Sequence, residues 1–235
     1  MIIAANLKTN FTRKQTTEYI DFLESFMETN SITQEVLVFP ATSSLNMHNG
    51  EVIVGAQNAH GVENGAFTGE IGSQHLDEFE IKTILIGHSE RRHVLGETQE
   101  SIIKKFNYYK ELGYKIVYCI GESLEIRESG HEVMMDYLSS QFEGIDLEYK
   151  NLIVAYEPVW AIGTGLTPTL EDITSLHVEL KTKCKAPLLY GGSVKVANAA
   201  EVLALDGVDG VLVGSAALYA EHFCSMIQFA QDLQK

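Results

Sequence analysis

The sequence predicts an α/β fold, a closed (β/α)8 barrel in which eight parallel strands are ringed by outer helices, forming one domain over residues 1–235. Three observations lead there. Short β-type runs recur at 2–5, 36–39, 52–56, 83–87, 116–120, 152–156, 188–190 and 211–214, and most are apolar throughout. Continuous rather than alternating apolarity marks strands buried on both faces of a parallel sheet. The intervals between them read mostly as amphipathic helices, and no linker or low-complexity break divides the chain.

In chain order, strand 2–5 runs into Asn6-Leu7-Lys8-Thr9-Asn10. An open doubly wound sheet, the competing architecture, carries a glycine-rich turn at this point, and none is present. Helix 14–28 aligns Tyr19, Ile20, Leu23 and Phe26 on one stripe. Segments 43–47 and 73–78 are too short for a helix to be assigned from pattern. Helix 99–112 presents Ile102, Ile103, Phe106 and Tyr109 on one face, and 124–142 reads as one further helix. Thr169-Leu170-Glu171-Asp172 resembles a capping box opening helix 170–183. Helices 196–203 and 216–233 complete the series.

Composition narrows the function classes. Seventeen basic against 32 acidic residues leave a net charge of −15, which argues against nucleic acid or an anionic membrane as partner. An anionic substrate must therefore be captured by local dipoles and a few placed cations. Cys119, Cys184 and Cys224 are odd in number and lack metal-site spacing, so a reducing compartment without a disulfide framework is expected. Met1 to Lys8 has neither the basic nor the long apolar region of a signal peptide, and no apolar run approaches the ~18 residues of a membrane span. A cytoplasmic protein is expected. The eight histidines show no metal-site spacing, and neither a P-loop nor a G-x-S-x-G element occurs.

Polar groups gather just after the strands, which in a barrel all face one mouth. Glu157 stands where the apolar run 152–156 stops. Behind it come Pro158 and a loop with the only tryptophan, Trp160, and two glycines, Gly163 and Gly165. Glu157 is thus the acid or base candidate, and the segment after it reads as a cover. Asn6 and Lys8 follow strand one, Gln57 and Asn58 strand three, His88, Ser89, Glu90 and Arg91 strand four, and Glu122 strand five. Gly191-Gly192-Ser193 and Gly214-Ser215-Ala216 leave the backbone open to an anion, the second just ahead of a helix. Either loop alone reads equally as a tight turn; the pair after strands seven and eight favours a phosphate site.

These segments resemble the triosephosphate isomerase family, the source of the TIM barrel's name. The likeness is carried by Asn6 to Asn10, Gly55-Ala56-Gln57-Asn58, Gly65 to Glu70, Ile86-Gly87-His88-Ser89-Glu90-Arg91-Arg92, Cys119 to Glu122, Tyr156 to Gly165, Tyr190 to Ser193 and Val213-Gly214-Ser215. It implies interconversion of dihydroxyacetone phosphate and D-glyceraldehyde 3-phosphate, in glycolysis and gluconeogenesis, without a cofactor or metal. Carried over by position, Glu157 is the base and His88 the neutral electrophile. Lys8 and Asn6 stabilise the enediolate, and Glu90 braces Lys8. Phosphate is held at Gly163, Ser193, Gly214 and Ser215. The implied lid is Pro158-Val159-Trp160-Ala161-Ile162-Gly163-Thr164-Gly165-Leu166-Thr167-Pro168, with Ile162 and Leu212 closing an apolar wall that raises the basicity of Glu157. The Gly65 to Glu70 loop matches the family's intersubunit loop and implies a homodimer, Thr68 docking near Asn6 and Glu90 of the second copy.

The chain departs from the family pattern at Leu7, Thr9, Ser215 and the distal lid hinge Leu166-Thr167-Pro168. Pro168 has no N–H. The closed-lid hydrogen bond that relatives make to the tyrosine matching Tyr190 is therefore not expected here. Two other classes compete with the isomerase reading: a non-catalytic anion-binding barrel, and an isomerase for a larger phosphorylated substrate.

Overall fold

The computed structural model describes residues 1–161 and 166–233. Its strands are β1 (Ile2–Asn6), β2 (Glu35–Phe39), β3 (Ile53–Val54), β4 (Thr83–Ile86), β5 (Lys115–Ile120), β6 (Leu152–Tyr156), β7 (Leu188–Tyr190) and β8 (Gly210–Val213). They form one sheet in the order β3-β2-β1-β8-β7-β6-β5-β4, and every pairing is parallel. The remaining seam, between β3 and β4, closes through the parallel bridge of Ala56 to Ile84. There the Ala56 amide donates to the Thr83 carbonyl at 2.9 Å, and the Leu85 amide to the Ala56 carbonyl at 2.8 Å. The result is the (β/α)8 barrel expected from the sequence.

Side-chain parity explains why the strands read as unbroken apolar runs. Ile2, Ala4, Leu37, Phe39, Leu85, Val117, Cys119, Ile153, Ala155, Leu189 and Leu212 form one buried cluster that draws on seven strands, with Ile53 of β3 packed against it. Their neighbours Ile3, Ala5, Val36, Val38, Ile116, Tyr118, Val154 and Tyr190 belong to a second cluster shared with the helices. Alternate residues thus fill the barrel and the layer outside it, and apart from β3 and the first residues of β2 and β5 the strands are buried on both faces.

The helices are α1 (Arg13–Thr29), α2 (Ser73–Glu78), α3 (Ser89–His93), α4 (Gln99–Glu111), α5 (Leu124–Glu128), α6 (His131–Ser140), α7 (Leu170–Lys183), α8 (Val196–Leu203) and α9 (Ala220–Leu233). Helix α1 buries Tyr19, Ile20, Leu23 and Met27 and starts from a capping box between Thr12 and Gln15. The Thr169–Asp172 box at α7 forms in full, each partner capping the other's backbone amide. Two helix expectations need correction. Segment 124–142 is not one helix: Gly130, at φ +109°, ends α5 and starts α6, a backbone turn an L side chain resists. The last helix begins at Ala220, after a separate 3-10 turn at Ser215–Leu218. The short segment Ser73–Glu78 does form a helix, and 43–47 contributes only to a 3-10 turn at Thr42–Ser44. All three cysteines are buried and free, and among the described residues no helix is long and apolar enough to cross a membrane.

Candidate active site

Barrel parity extended past the strand ends builds the mouth. On β6 the inward series Ile153, Ala155 continues to Glu157, on β1 Ala4 continues to Asn6, and on β7 and β8 Leu189 and Leu212 continue to Gly191 and Gly214. Asn6, Glu157, Gly191, Leu212 and Gly214 line a cavity of about 260 Å³ with Lys8, Asn10, His88, Gly192, Ser193, Lys195 and Ser215. That is below the ~300–1,000 Å³ of sites for drug-sized ligands, so the cavity suits a small molecule. The strand ends are level here: the Glu157 amide donates to the Ile120 carbonyl at 2.8 Å and the Gly191 amide to the Tyr156 carbonyl at 2.7 Å. A Cβ on Gly121 would lie 1.9 Å from the Glu157 carbonyl oxygen, so glycine is required for β5 to pass that close.

Glu157 is buried and doubly held. The Ser89 amide donates to its Oε2 at 2.8 Å, and His88 Nε2 lies 2.9 Å from its Oε1. Burial alone raises the carboxyl pKa; His88 and the Ser89 amide outweigh it and leave it below the ordinary carboxylate value. Burial is the largest single influence on Glu157 and acts in the direction expected of the apolar wall; the imidazole and the amide together offset it in this state. Leu212 does line the cavity, while Ile162 lies outside the described residues.

His88 caps α3, and its Nδ1 accepts the Glu90 amide at 3.2 Å. An acceptor at Nδ1 places the ring proton on Nε2, facing Glu157. Burial pushes the imidazole pKa down, but the adjacent Glu157 carboxylate outweighs it and the value is raised. The amide at Nδ1 favours the neutral ring, and the Glu157 carboxylate beside Nε2 acts the other way.

Lys8 Nζ is 2.5 Å from Glu90 Oε1. Its backbone sits at φ +51°, in the left-handed region that non-glycine residues seldom occupy. Asn6 Oδ1 accepts the Lys8 amide at 3.0 Å, and Gln57 donates to the carbonyls of Lys8 and Phe39, both at 2.8 Å. Sequence reading placed Gln57 at a strand end but gave it no task; its task is to hold this strained turn. The equally overlooked Glu122 is fully buried. Its Oε1 accepts the Tyr156 hydroxyl and the Trp160 indole N–H, both at 2.9 Å, and its carbonyl accepts the Val159 amide. Burial raises its pKa above the ordinary value. Arg127 lies over the Trp160 ring at 4.6 Å, so the 3-10 turn Val159–Ala161, which opens the segment expected to be a lid, is anchored at its base. No feature of local sequence distinguished Glu122 from the other strand-end acids.

Ser193 Oγ donates to the Ala161 carbonyl at 2.9 Å, tying the β7 loop to that 3-10 turn. Gly214 precedes the 3-10 turn Ser215–Leu218, whose opening amides have no acceptor within the turn. Gly163, Thr164 and Gly165 lie outside the described residues; Leu166 and Thr167 are exposed and Pro168 is buried.

A buried carboxylate in contact with an imidazole, opposite two loops built to approach an anion, defines a class of barrel enzyme that moves protons on small anionic substrates. Comparison with known proteins makes the class specific. The family model described as triosephosphate isomerase matches residues 1–230. A triosephosphate isomerase of Sulfurimonas denitrificans is 69% identical over 235 residues, covering 100% of this chain and 98% of the relative. Triosephosphate isomerases of a Sulfurovum species and of Wolinella succinogenes are 56% and 54% identical, each covering 97% of this chain and 99% of its own length. The chain belongs to the triosephosphate isomerase family.

Proposed function

We propose that the chain interconverts dihydroxyacetone phosphate and D-glyceraldehyde 3-phosphate through an enediolate, with Glu157 as base and His88 as electrophile. The observation that carries the reading is the Glu157–His88 contact at the cavity floor. In the unliganded state Glu157 is ionised and held by Ser89 and His88. Substrate draws it off both partners and toward the carbon beside the carbonyl. The carboxylate takes a proton from that carbon, and negative charge develops on the carbonyl oxygen. His88 Nε2–H and Lys8 Nζ meet that charge, with Asn6 orienting the substrate and Glu90 fixing Lys8. His88 passes a proton between the two oxygens, and Glu157 returns its proton to the neighbouring carbon. Once Glu157 has left His88, burial and the Glu90 amide favour the neutral imidazole that this exchange requires. Ser193, Gly214, Ser215 and Gly163 hold the phosphate through their backbone amides, and the lid, residues 158–168, excludes water from the enediolate.

The whole chain works as one barrel domain in the cytoplasm, as a homodimer. Support for the dimer lies in the Phe67 side chain, 44% exposed on the Gly65–Glu70 tip, and in a second cavity of about 630 Å³. That cavity is lined by Asn6, Gln57 and Glu90 and by Val94 and Leu95, which are 76% and 66% exposed. Such apolar exposure beside a catalytic lysine suits burial by the Phe67–Thr68 tip of a second copy.

Purified protein is assayed for turnover of glyceraldehyde 3-phosphate with a coupled dehydrogenase, alongside Glu157→Ala. The variant is expected to fold normally and to lose about 10² to 10⁴-fold in turnover, the worth of a positioned base. Unchanged turnover in Glu157→Ala removes the assignment. Fully active monomers in light scattering remove the dimer.

A further inference from the structure

We propose that Lys195 steers the substrate to the phosphate end of the mouth. This rests on the reaction above and adds a residue to which that reaction gives no role. Among the described residues lining the 260 Å³ cavity, the full charges are Lys8, Glu157 and Lys195. Lys8 is neutralised by Glu90 at 2.5 Å. Glu157 and Lys195 then cancel, and without Lys195 the mouth carries a net negative charge toward a phosphorylated substrate. The chain as a whole stands at −15, so the far field is repulsive and capture depends on the near one.

The backbone fixes where that charge stands. The Asn198 side chain accepts the Lys195 amide at 2.7 Å and donates to the Ser193 carbonyl at 3.1 Å, bracing the turn from the phosphate loop into α8. Lys195 is therefore anchored at its Cα two residues beyond Ser193, while its exposed side chain has no ion-pair partner among the described residues. A flexible ammonium at the rim attracts the phosphate dianion without having to hold it in a fixed geometry. Such a residue acts before chemistry, on capture and not on turnover of bound substrate.

The test compares native protein, Lys195→Gln, Lys195→Arg and Lys185→Gln over a range of ionic strength. Lys185 lies between α7 and β7, at the end of the barrel opposite the mouth, so its variant makes the same change in net charge at a remote place. At ~10 mM ionic strength, where the Debye length is ~30 Å, Lys195→Gln is expected to lower kcat/KM and leave kcat unchanged. The expected drop is about two- to fivefold, one charge's part of the ~10 to 10³-fold that whole-protein fields produce. The gap closes above ~0.3 M salt, Lys195→Arg retains native behaviour, and Lys185→Gln does not differ from native. Equal kcat/KM for native and Lys195→Gln at low salt overturns the inference. So does a drop that persists undiminished at high salt, or one that falls on kcat. If the native protein has no isomerase activity, the assignment of the reaction falls first. If native activity is present but its salt dependence is unaltered in Lys195→Gln, only the steering role falls.

Discussion

His177 makes this protein sensitive to mild acid, and the size of the effect follows from its surroundings. The side chain is fully buried on α7, edge-on to the Tyr156 ring and tilted against Tyr190. Its Nδ1 is 3.2 Å from the Gly207 carbonyl, so the ring proton sits there, and Nε2 has no partner among the described residues. Burial pushes its pKa from 6.5 down to about 4. The native state therefore keeps this imidazole neutral while the unfolded chain protonates it. The resulting stability is fully present above pH 6.5 and is lost as pH falls from there toward about 4. At about 1.4 kcal/mol per pH unit the whole loss is about 3 kcal/mol, of which about 2 kcal/mol has gone by pH ~5. The perturbation is His177→Asn, which keeps a donor for Gly207 and removes the titration. Urea unfolding followed by circular dichroism, at fixed protein concentration, gives stability at about pH 7.5 and about pH 5. The substitution lowers stability at both, because the smaller side chain leaves the pocket underfilled. The decisive quantity is the difference between the two pH values, which is expected to be about 2 kcal/mol smaller in the variant than in the native protein. Equal pH dependence in the two proteins refutes the reasoning, since it would mean that the buried imidazole binds its proton as readily as the unfolded one.

Two more outcomes follow from the site. Ser89 opens α3, where proline is tolerated, and the preceding His88 has the extended backbone proline requires (φ −51°, ψ 141°). Ser89→Pro thus deletes the amide donor to Glu157 with little damage to the helix, and the acid limb of kcat/KM is expected to move to higher pH. An unmoved limb shows that the amide does not hold the carboxyl down. The buried Tyr190 hydroxyl has no hydrogen-bond partner among the described residues, so Tyr190→Phe is expected to change unfolding free energy by less than the ~0.5–1.5 kcal/mol of an ordinary bond and to leave turnover within a few-fold of native. An unfolding loss beyond ~1.5 kcal/mol shows that the hydroxyl is bonded in the resting protein, and a turnover loss beyond about tenfold shows that it finds a partner during catalysis.

Local pattern carried the architecture a long way. Continuous apolarity located the eight strands within a few residues, because burial on both faces leaves no alternation to misread. The Thr169–Asp172 box was legible because its partners are three residues apart. Glu157, His88, Lys8 and Asn6 stood out because a charge or amide directly after a buried strand has only the barrel mouth to occupy. Where the backbone's own preference decides, the pattern was less sure: helical periodicity ran across Gly130, but its left-handed φ breaks α5 from α6. What the sequence did not determine is the state of those groups. Glu157 takes its low pKa from His88 and from an amide 68 residues away, and the turn at Lys8 is held by a glutamine 49 residues away. The burial of Glu122 beneath Trp160 likewise exists only once β5 and β6 lie side by side. Periodicity and capping act over a few residues of chain, and a sequence displays them directly. Desolvation and Coulomb interactions act over a few ångströms of space, and the closing of the barrel alone decides which groups meet there.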